Sequence, residues 1–174
     1  MVNFHELFPN SGKGKKYDFH SCELRWVQTQ YDRPIKILDW GAGKGGTTAW
    51  LTDQGFDVTA YDPYWPENSD TRRLNQAYDA IITGDVLEHI LTKDIPWRYF
   101  KTIKHNIHIV DLTPAKKQLP DGRNAHINLQ TEDEWMVTFA QHLGGRRRQY
   151  CTYDTEDPNY TWRTRLCLHI ELSL

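Results

Sequence analysis

The residues with the clearest chemistry form a carboxylate followed by a glycine-rich loop, Asp39-x-Gly41-x-Gly43-x-x-Gly46. Glycines let the backbone approach a bound molecule closely, and the N–H groups at the start of a following helix bind polar or anionic groups. Asp39 precedes the first glycine, where its negative charge would attract a cationic amino group and repel a pyrophosphate. The loop therefore predicts a site for a nucleotide-like cofactor, and its place between a strand and a helix makes a plain turn the weaker alternative.

A second carboxylate, Asp62, follows the next predicted strand and could accept hydrogen bonds from both hydroxyls of a ribose. Two cofactors meet these requirements, a nicotinamide dinucleotide (NAD) and S-adenosylmethionine (SAM). The dinucleotide would place its pyrophosphate on the loop, whereas SAM would place its amino-acid end and ribose there. Because Asp39 disfavours a pyrophosphate, the pattern favours SAM.

Strands and helices that alternate along the chain must position these carboxylates. Short apolar segments predict buried strands over 35–38, 56–61, 79–83 and 107–112. Helices are predicted over 20–30, 47–54 and 95–105, and a further helix is predicted to begin near Glu88. Apolar strands that alternate with helices are typical of a parallel sheet covered by helices on both faces.

The C-terminal part of the chain predicts a different strand arrangement. A capping box, Thr131-x-x-Glu134, opens a helix that Gly144 ends. Strands are predicted over 149–153 and 164–174, and in the second of these apolar residues alternate strictly with polar ones. Such alternation is typical of an antiparallel strand with one face in solvent. The predicted fold class is therefore α/β, a three-layer sandwich with a mostly parallel sheet and an antiparallel C-terminal strand.

Three segments together resemble the class I SAM-dependent methyltransferases. They are Ile37-Leu38-Asp39-Trp40-Gly41-Ala42-Gly43, Tyr61-Asp62-Pro63 and Asp85-Val86-Leu87-Glu88-His89-Ile90. The resemblance covers residues 35–145 in order and spacing, and it includes the antiparallel last strand. It implies a Rossmann-like sheet with the cofactor across the carboxyl ends of the strands, and methyl transfer as the activity.

The resemblance also implies which residues contact the cofactor. They are Asp39, Trp40, Gly41, Ala42 and Gly43 at the methionine end, Asp62 and Pro63 at the ribose, and Asp85, Val86 and Leu87 along the methionine or adenine side. His20, together with Tyr17, could close over the cofactor from the N-terminal segment, or it could be an ordinary surface histidine. Residues 1–19 are predicted to form a flexible arm or lid, and residues 20–174 the methyltransferase domain.

The chain departs from the family after Asp62. So few residues separate Asp62 from Asp79 that the third strand of the family and its helix are predicted to be absent. The residue that commonly reads the adenine from that strand therefore has no clear counterpart. Asn68, Asp70 and the backbone are the candidates.

Glu88 and His89 could perform acid–base chemistry or bind a metal, or they could be a helix-start carboxylate and a surface histidine. With Asp85 and the later His126 they resemble the metal-binding pattern of small-RNA 2′-O-methyltransferases and of some quinone-type O-methyltransferases. That pattern has a glutamate where Asp85 stands. The resemblance implies a divalent ion held by Asp85, Glu88, His89 and His126, which would position and acidify a hydroxyl acceptor. His126 could instead be a general base without a metal.

Composition excludes several classes of protein. The 174 residues suffice for one domain with its own core, and the net charge of −2 argues against bulk binding of nucleic acid. Three cysteines without a Cys-x-x-Cys argue against a disulfide scaffold or a zinc knuckle. The N-terminal residues lack the apolar region of a signal peptide, so a cytoplasmic protein is expected, either a monomer or a homodimer.

The acceptor is less well defined than the donor. No Pro-Pro-Tyr or Pro-Pro-Phe follows Asp85, and no Pro-Cys dipeptide occurs, so the motifs of DNA amino- and cytosine-methyltransferases are missing. A small-molecule or nucleotide-like acceptor therefore fits better than duplex DNA, and O-methylation is slightly favoured over N-methylation. The small size, the missing strand and the segment 119–126 are similar to methyltransferase-like proteins of bacteriophages.

Three other functions use the same features. A protein that binds or degrades SAM without methyl transfer, such as an anti-restriction protein, would keep the cofactor loop. A non-enzymatic module would bind the cofactor without needing Glu88, His89 or His126. An NAD-dependent oxidoreductase would need a parallel sixth strand and a catalytic Tyr/Lys or His partner, and no Tyr-x-x-x-Lys occurs in this sequence. Arg146, Arg147 and Arg148 could bind a phosphate on the substrate or simply begin a strand in solvent.

Overall fold

The structure is a computed structural model that describes residues 18–157 and 160–174. These residues form two compact units, one that ends at Gly84 and one over Asp85–Leu174. Most of the predicted N-terminal arm, including Tyr17, lies outside the described residues, whereas Asp18 and Phe19 belong to the first helix. No helix within the described ranges is both long enough and apolar enough to cross a membrane.

The described part of the first unit, from Asp18 onwards, contains a parallel sheet and two α-helices. Its elements are α1 (Asp18–Gln28), β1 (Lys36–Trp40), α2 (Gly46–Asp53), β2 (Asp57–Tyr61) and β3 (Ala80–Gly84). The strand order is β2-β1-β3, and β1 pairs in parallel with both neighbours. Apolar side chains of α1, β1, α2 and β3 are fully buried, among them Leu24, Leu38, Leu51 and Ile81. The early strands predicted from apolar segments are confirmed.

The segment between β2 and β3 contains no strand. It folds into two short 3₁₀ turns, Pro66–Asn68 and Thr71–Asn75. In the described sheet, β2 has only β1 as a strand neighbour. The predicted absence of the third strand of the family is therefore confirmed.

The second unit is built on an antiparallel sheet. Its elements are the single-turn helix α3 (Trp97–Phe100), β4 (His105–Asp111), α4 (Glu132–His142), β5 (Arg146–Asp157) and β6 (Tyr160–Glu171). β6 lies between β4 and β5 and is antiparallel to both. The predicted capping box begins α4, with the Thr131 N–H donating to Glu134 Oε2 at 2.7 Å and the Glu134 N–H donating to Thr131 Oγ1 at 3.3 Å.

One predicted helix of this unit is wrong, and another is much shorter than predicted. Leu87–His89 is a single 3₁₀ turn that ends at Ile90, whose backbone is extended. Of the segment 95–105 only Trp97–Phe100 is helical, because Pro96 disfavours helical backbone at Ile95 and the chain enters β4 soon after Phe100.

The predicted solvent-facing side of the last strand is also wrong. Arg165 and Cys167, which occupy polar positions of the alternation, are 3% and 0% exposed. Arg163 and His169 on the same side of β6 are buried as well. The two guanidinium groups are tolerated there because carboxylates pair with them inside the unit, and buried charges need such partners.

Candidate active site

The glycine loop connects β1 to α2 and is held against the end of β2. The N–H groups of Gly41 and Ala42 both donate to the carbonyl oxygen of Tyr61, at 2.8 and 3.1 Å. Gly41, Gly43 and Gly45 have φ values of 79°, 52° and 77°, which are in the left-handed region that favours glycine. Gly41 and Gly43 of the sequence pattern therefore occupy backbone positions that other residues would strain, whereas Gly46 begins α2 and the third such position is that of Gly45.

Asp39 lies at the carboxyl end of β1, between Ala60 of β2 and Ile82 of β3. Its side chain is buried, and Oδ2 accepts a hydrogen bond from Thr48 Oγ1 at 2.7 Å. Burial raises the pKa of Asp39 from 3.8 to about 6, and the negative charge of Asp62 adds to this effect. A cation bound beside Asp39 would stabilise the carboxylate form, which burial alone disfavours.

Asp62 is a second buried carboxylate, directly after β2. Its Oδ2 accepts a hydrogen bond from the Gly43 N–H at 2.9 Å, and its Oδ1 accepts one from the Tyr64 N–H at 2.8 Å. These bonds fix the carboxylate beside the glycine loop. The end of the sheet therefore carries two negative groups in a largely dehydrated setting, which favours a positively charged ligand.

The other residues expected near the cofactor are mostly buried. Trp40 and Ala42 are buried in the first unit, on either side of Gly41. His20 is fully buried, and its Nε2 lies 3.1 Å from the carbonyl oxygen of Thr83 in β3. His20 is thus neither a surface histidine nor part of a segment ahead of the fold, because it belongs to α1.

The second unit brings together three of the four residues proposed for metal binding. Glu88, His89 and His126 each offer a ligand atom, and these atoms all lie within 4.8 Å of one another. His89 Nδ1 is 2.9 Å from the Ala125 carbonyl oxygen, and His126 Nδ1 is 2.6 Å from that of Thr113. A carbonyl oxygen can only accept a hydrogen bond, so Nδ1 carries the proton in both rings and Nε2 carries the lone pair.

Glu88 is fully buried, and neither of its carboxyl oxygens has a hydrogen-bond partner among the described residues. Burial and the nearby charges of Asp85 and Asp111 raise its pKa well above the usual value. Burial and His126 lower the pKa of His89 to about 4, and burial also lowers the pKa of His126. Burial therefore favours the neutral form of each of the three side chains, and Glu88 carries an unmet hydrogen-bonding requirement that a ligand could satisfy.

Asp85 lies apart from this cluster and pairs with an arginine. Arg165 Nε donates to Asp85 Oδ1 at 3.0 Å, and Arg165 Nη2 donates to Asp85 Oδ2 at 3.3 Å. The backbone of Asp85 has a φ of 54°, which is uncommon for a residue other than glycine. The bidentate pair with Arg165 occupies both oxygens of the carboxylate expected to be the fourth metal ligand.

Sequence reasoning missed three charged residues of this unit. Asp111 is fully buried at the end of β4, where it pairs with Arg163 and lies 3.6 Å from Arg165 Nη2. A signal for Asp111 was present, because it ends an apolar strand, much as Asp39 lies next to the end of β1. Arg165 occupies a polar position in the alternation predicted over 164–174, which is typical of a solvent-facing side, and Arg163 precedes that predicted strand.

Solved structures share the architecture of this chain. Magnesium protoporphyrin IX methyltransferase from Synechocystis PCC 6803, solved with bound S-adenosylhomocysteine (SAH), has a TM-score of 0.53 and 15% identity, covering 97% of this chain and 88% of that one. A SAM-dependent methyltransferase from Methanosarcina mazei has a TM-score of 0.62 and 11% identity, with 86% and 97% covered. Another from Archaeoglobus fulgidus has a TM-score of 0.53 and 11% identity, with 97% and 100% covered.

These likenesses confirm the mixed α/β, Rossmann-like methyltransferase fold with its antiparallel C-terminal strands. The family model described as "Methyltransferase domain" matches residues 19–144. The chain therefore belongs to this methyltransferase family, and it is a class I SAM-dependent methyltransferase, as the sequence motifs predicted. No curated protein matches the chain in sequence.

Proposed function

We propose that this protein transfers the methyl group of SAM to a hydroxyl of a small-molecule or nucleotide-like acceptor rather than to duplex DNA. The observation that carries the proposal is the buried cluster of Glu88, His89 and His126. Imidazole nitrogens with a lone pair can receive the proton that a hydroxyl loses when its oxygen is methylated. The sequence supports the choice of acceptor, since the motifs that hold a target base in DNA methyltransferases are absent.

In this proposal the first unit binds the donor. Asp39 attracts the ammonium group of the methionine end, and the backbone of Gly41 and Gly43 lies against that end. Asp62, fixed beside the Gly43 N–H, accepts hydrogen bonds from the ribose hydroxyls. Two buried carboxylates suit SAM particularly well, because the sulfonium and the ammonium are both positive. Trp40, Ala42 and Pro63 line the same cofactor site. His20 contacts the end of β3 through its Nε2 and the carbonyl oxygen of Thr83.

The chemistry then requires one proton acceptor. The acceptor oxygen attacks the methyl carbon, the carbon–sulfur bond breaks, and its electron pair stays on sulfur, which leaves neutral SAH. The hydroxyl proton passes to Nε2 of His126, which is uncharged at neutral pH because burial lowers its pKa. His89 and Glu88 orient the acceptor beside this nitrogen, with Asp85, Val86 and Leu87 completing the segment that carries them.

The same cluster fits a divalent metal ion. Two imidazole nitrogens and one carboxylate form a donor set found in catalytic zinc and non-haem iron sites. The Nδ1–H bonds to backbone carbonyls are the supporting contacts that metal-binding histidines usually make. A bound ion would lower the pKa of an acceptor hydroxyl. Glu88, His89 and His126 would hold it, and Asp85 would join only by giving up its bonds to Arg165.

Calorimetric titration with SAM, SAH and NAD, followed by mass spectrometry of the incubated donor, tests the proposed donor. Micromolar binding of SAM and SAH with none of NAD is expected. Release of methylthioadenosine and homoserine lactone would identify a SAM-degrading enzyme instead.

Methyl-labelled SAM offered with ribonucleosides, oligoribonucleotides, phenols and duplex DNA then tests the acceptor. Label in a hydroxyl compound is expected, and label in DNA alone would refute the acceptor class. Each acceptor assay is repeated with EDTA and with added Zn²⁺, Mn²⁺ or Mg²⁺. Activity that is lost with EDTA and restored by one ion would support the metal, whereas full activity in EDTA would leave His126 as the base.

A further inference from the structure

The free edge of β2 is closed by a side chain instead of a strand. An unpaired strand edge exposes backbone groups that need partners. Arg73 Nη1 donates to the carbonyl oxygen of Ala60 in β2 at 2.6 Å, and Arg73 Nη2 donates to that of Glu67 at 3.2 Å. The Tyr78 hydroxyl in turn donates to the carbonyl oxygen of Arg73 at 2.8 Å, which fixes this turn of the chain.

Asn68 connects Arg73 to the glycine loop. Its Oδ1 accepts a hydrogen bond from Arg73 Nη1 at 3.1 Å, and its Nδ2 donates to the carbonyl oxygen of Gly43 at 2.8 Å. Only this orientation of the amide satisfies both a donor and an acceptor. Its backbone carbonyl oxygen also accepts the Asp62 N–H at 3.0 Å. Asn68 thus contacts Arg73 at the free edge of β2, the glycine loop, and the backbone of Asp62.

Both peptide groups next to the Gly43 Cα are held by hydrogen bonds to side chains. The N–H before it donates to Asp62 Oδ2 at 2.9 Å, and the carbonyl after it accepts from Asn68 Nδ2. Together these bonds hold Gly43 at its φ of 52°, a conformation that a free glycine would leave easily. Asp62 and the loop backbone are the groups proposed to hold the cofactor, so their geometry depends on Asn68.

We propose that Asn68 and Arg73 are positioning residues for the cofactor, and that they replace the missing third strand in this role. This inference rests on the proposed binding of SAM by the glycine loop. It also changes the interpretation of two residues that could have read the adenine. The amide of Asn68 is used by Gly43 and Arg73, and the carboxylate of Asp70 is used by Arg72.

Substitutions at these residues test the proposal by calorimetry with SAH. We expect Asn68→Ala and Arg73→Ala each to weaken SAH binding about tenfold, and the double variant to weaken it by less than the product, because both act through one chain of bonds. Arg72→Ala is the matched control, since Arg72 is exposed and pairs with Asp70 beside it. Its affinity for SAH should stay within twofold of the unmodified protein.

The variant Asn68→Asp separates positioning from general stability. It keeps the acceptor for Arg73 and loses the donor to Gly43, so we expect SAH binding weakened about tenfold under conditions in which urea unfolding shows the variant to be fully folded. Amide hydrogen exchange without cofactor gives a second readout, in which the Gly43 and Asp62 amides should exchange faster in Asn68→Ala. Unchanged affinity and unchanged exchange in Asn68→Ala would overturn the inference. If the unmodified protein fails to bind SAH, the proposed function fails. The exchange experiment still decides whether Asn68 holds the glycine loop in place.

Discussion

Replacement of Asp39 by asparagine should make the empty protein more stable and the cofactor site weaker. Burial raises the pKa of Asp39 from 3.8 to about 6. Each pKa unit corresponds to about 1.4 kcal/mol, so ionised Asp39 costs the folded state about 3 kcal/mol at neutral pH. Asparagine keeps an oxygen that can accept the Thr48 hydroxyl and carries no charge, so Asp39→Asn should recover up to that amount.

The sign of the pH dependence follows from the raised pKa. Folding favours the protonated carboxyl group of Asp39, because its pKa is higher in the folded than in the unfolded state. The contribution of Asp39 to the free energy of unfolding is therefore fully present below pH 3.8 and is lost as the pH rises through about 6. At pH 5 roughly half of the 3 kcal/mol should already be lost. The stability gain of Asp39→Asn should therefore be about twice as large at pH 7.5 as at pH 5.

Urea unfolding at pH 5 and pH 7.5, with and without SAH, measures these differences in the free energy of unfolding. Asp53→Asn is the control, because Asp53 is exposed on α2 and its substitution removes the same charge. SAH should stabilise the unmodified protein and the control, and it should fail to stabilise Asp39→Asn. A variant that is less stable than the unmodified protein at pH 7.5, or that binds SAH equally well, would refute the reasoning.

Other measurements test the remaining site residues. The affinity for SAM should fall about tenfold per pH unit below pH 6, because protonated Asp39 cannot pair with an ammonium; calorimetry from pH 5 to pH 8 would show this. Asp62→Ala should weaken SAH binding by about 1.5–3 kcal/mol if it carries two hydrogen bonds to the ribose, and an unchanged affinity would remove that role. His126→Ala should slow turnover about 100-fold and leave SAH affinity unchanged, measured by single-turnover kinetics beside calorimetry. Glu88→Gln should abolish binding of Zn²⁺ in equilibrium dialysis, and retained binding would place the ion elsewhere.

The first unit could be predicted almost completely from the sequence, because its signals are local. Gly41 and Gly43 follow an apolar strand directly, and their positive φ values agree with the turn that such a spacing requires. Asp39 is the last residue but one of β1 and Asp62 directly follows β2, and parallel pairing brings the carboxyl ends of these strands to one edge of the sheet. The absence of the third strand could be predicted, because the segment between Asp62 and Asp79 is too short for the strand and its helix. The positioning role of Asn68 could not be predicted, because it depends on three contacts that no pattern in the sequence encodes.

The second unit depended on pairings between distant residues, and there the sequence was a weaker guide. Arg165 and Asp85 are 80 positions apart, so nothing in either neighbourhood indicates that one neutralises the other. Without that pair, a polar side of β6 was interpreted as a solvent-facing one. The burial of Glu88 was missed for a similar reason, since a 3₁₀ turn leaves no periodic pattern.

Substitutions before and after the boundary at Gly84 should affect different properties of this protein. Of the residues proposed for the donor, Asp39, Gly41, Gly43 and Asp62 precede it, whereas Asp85 and the histidines and glutamate proposed for the chemistry follow it. A saturation library scored separately for SAH binding and for turnover should therefore divide near residue 84. Losses of both traits should cluster before the boundary, and losses of turnover alone should cluster after it.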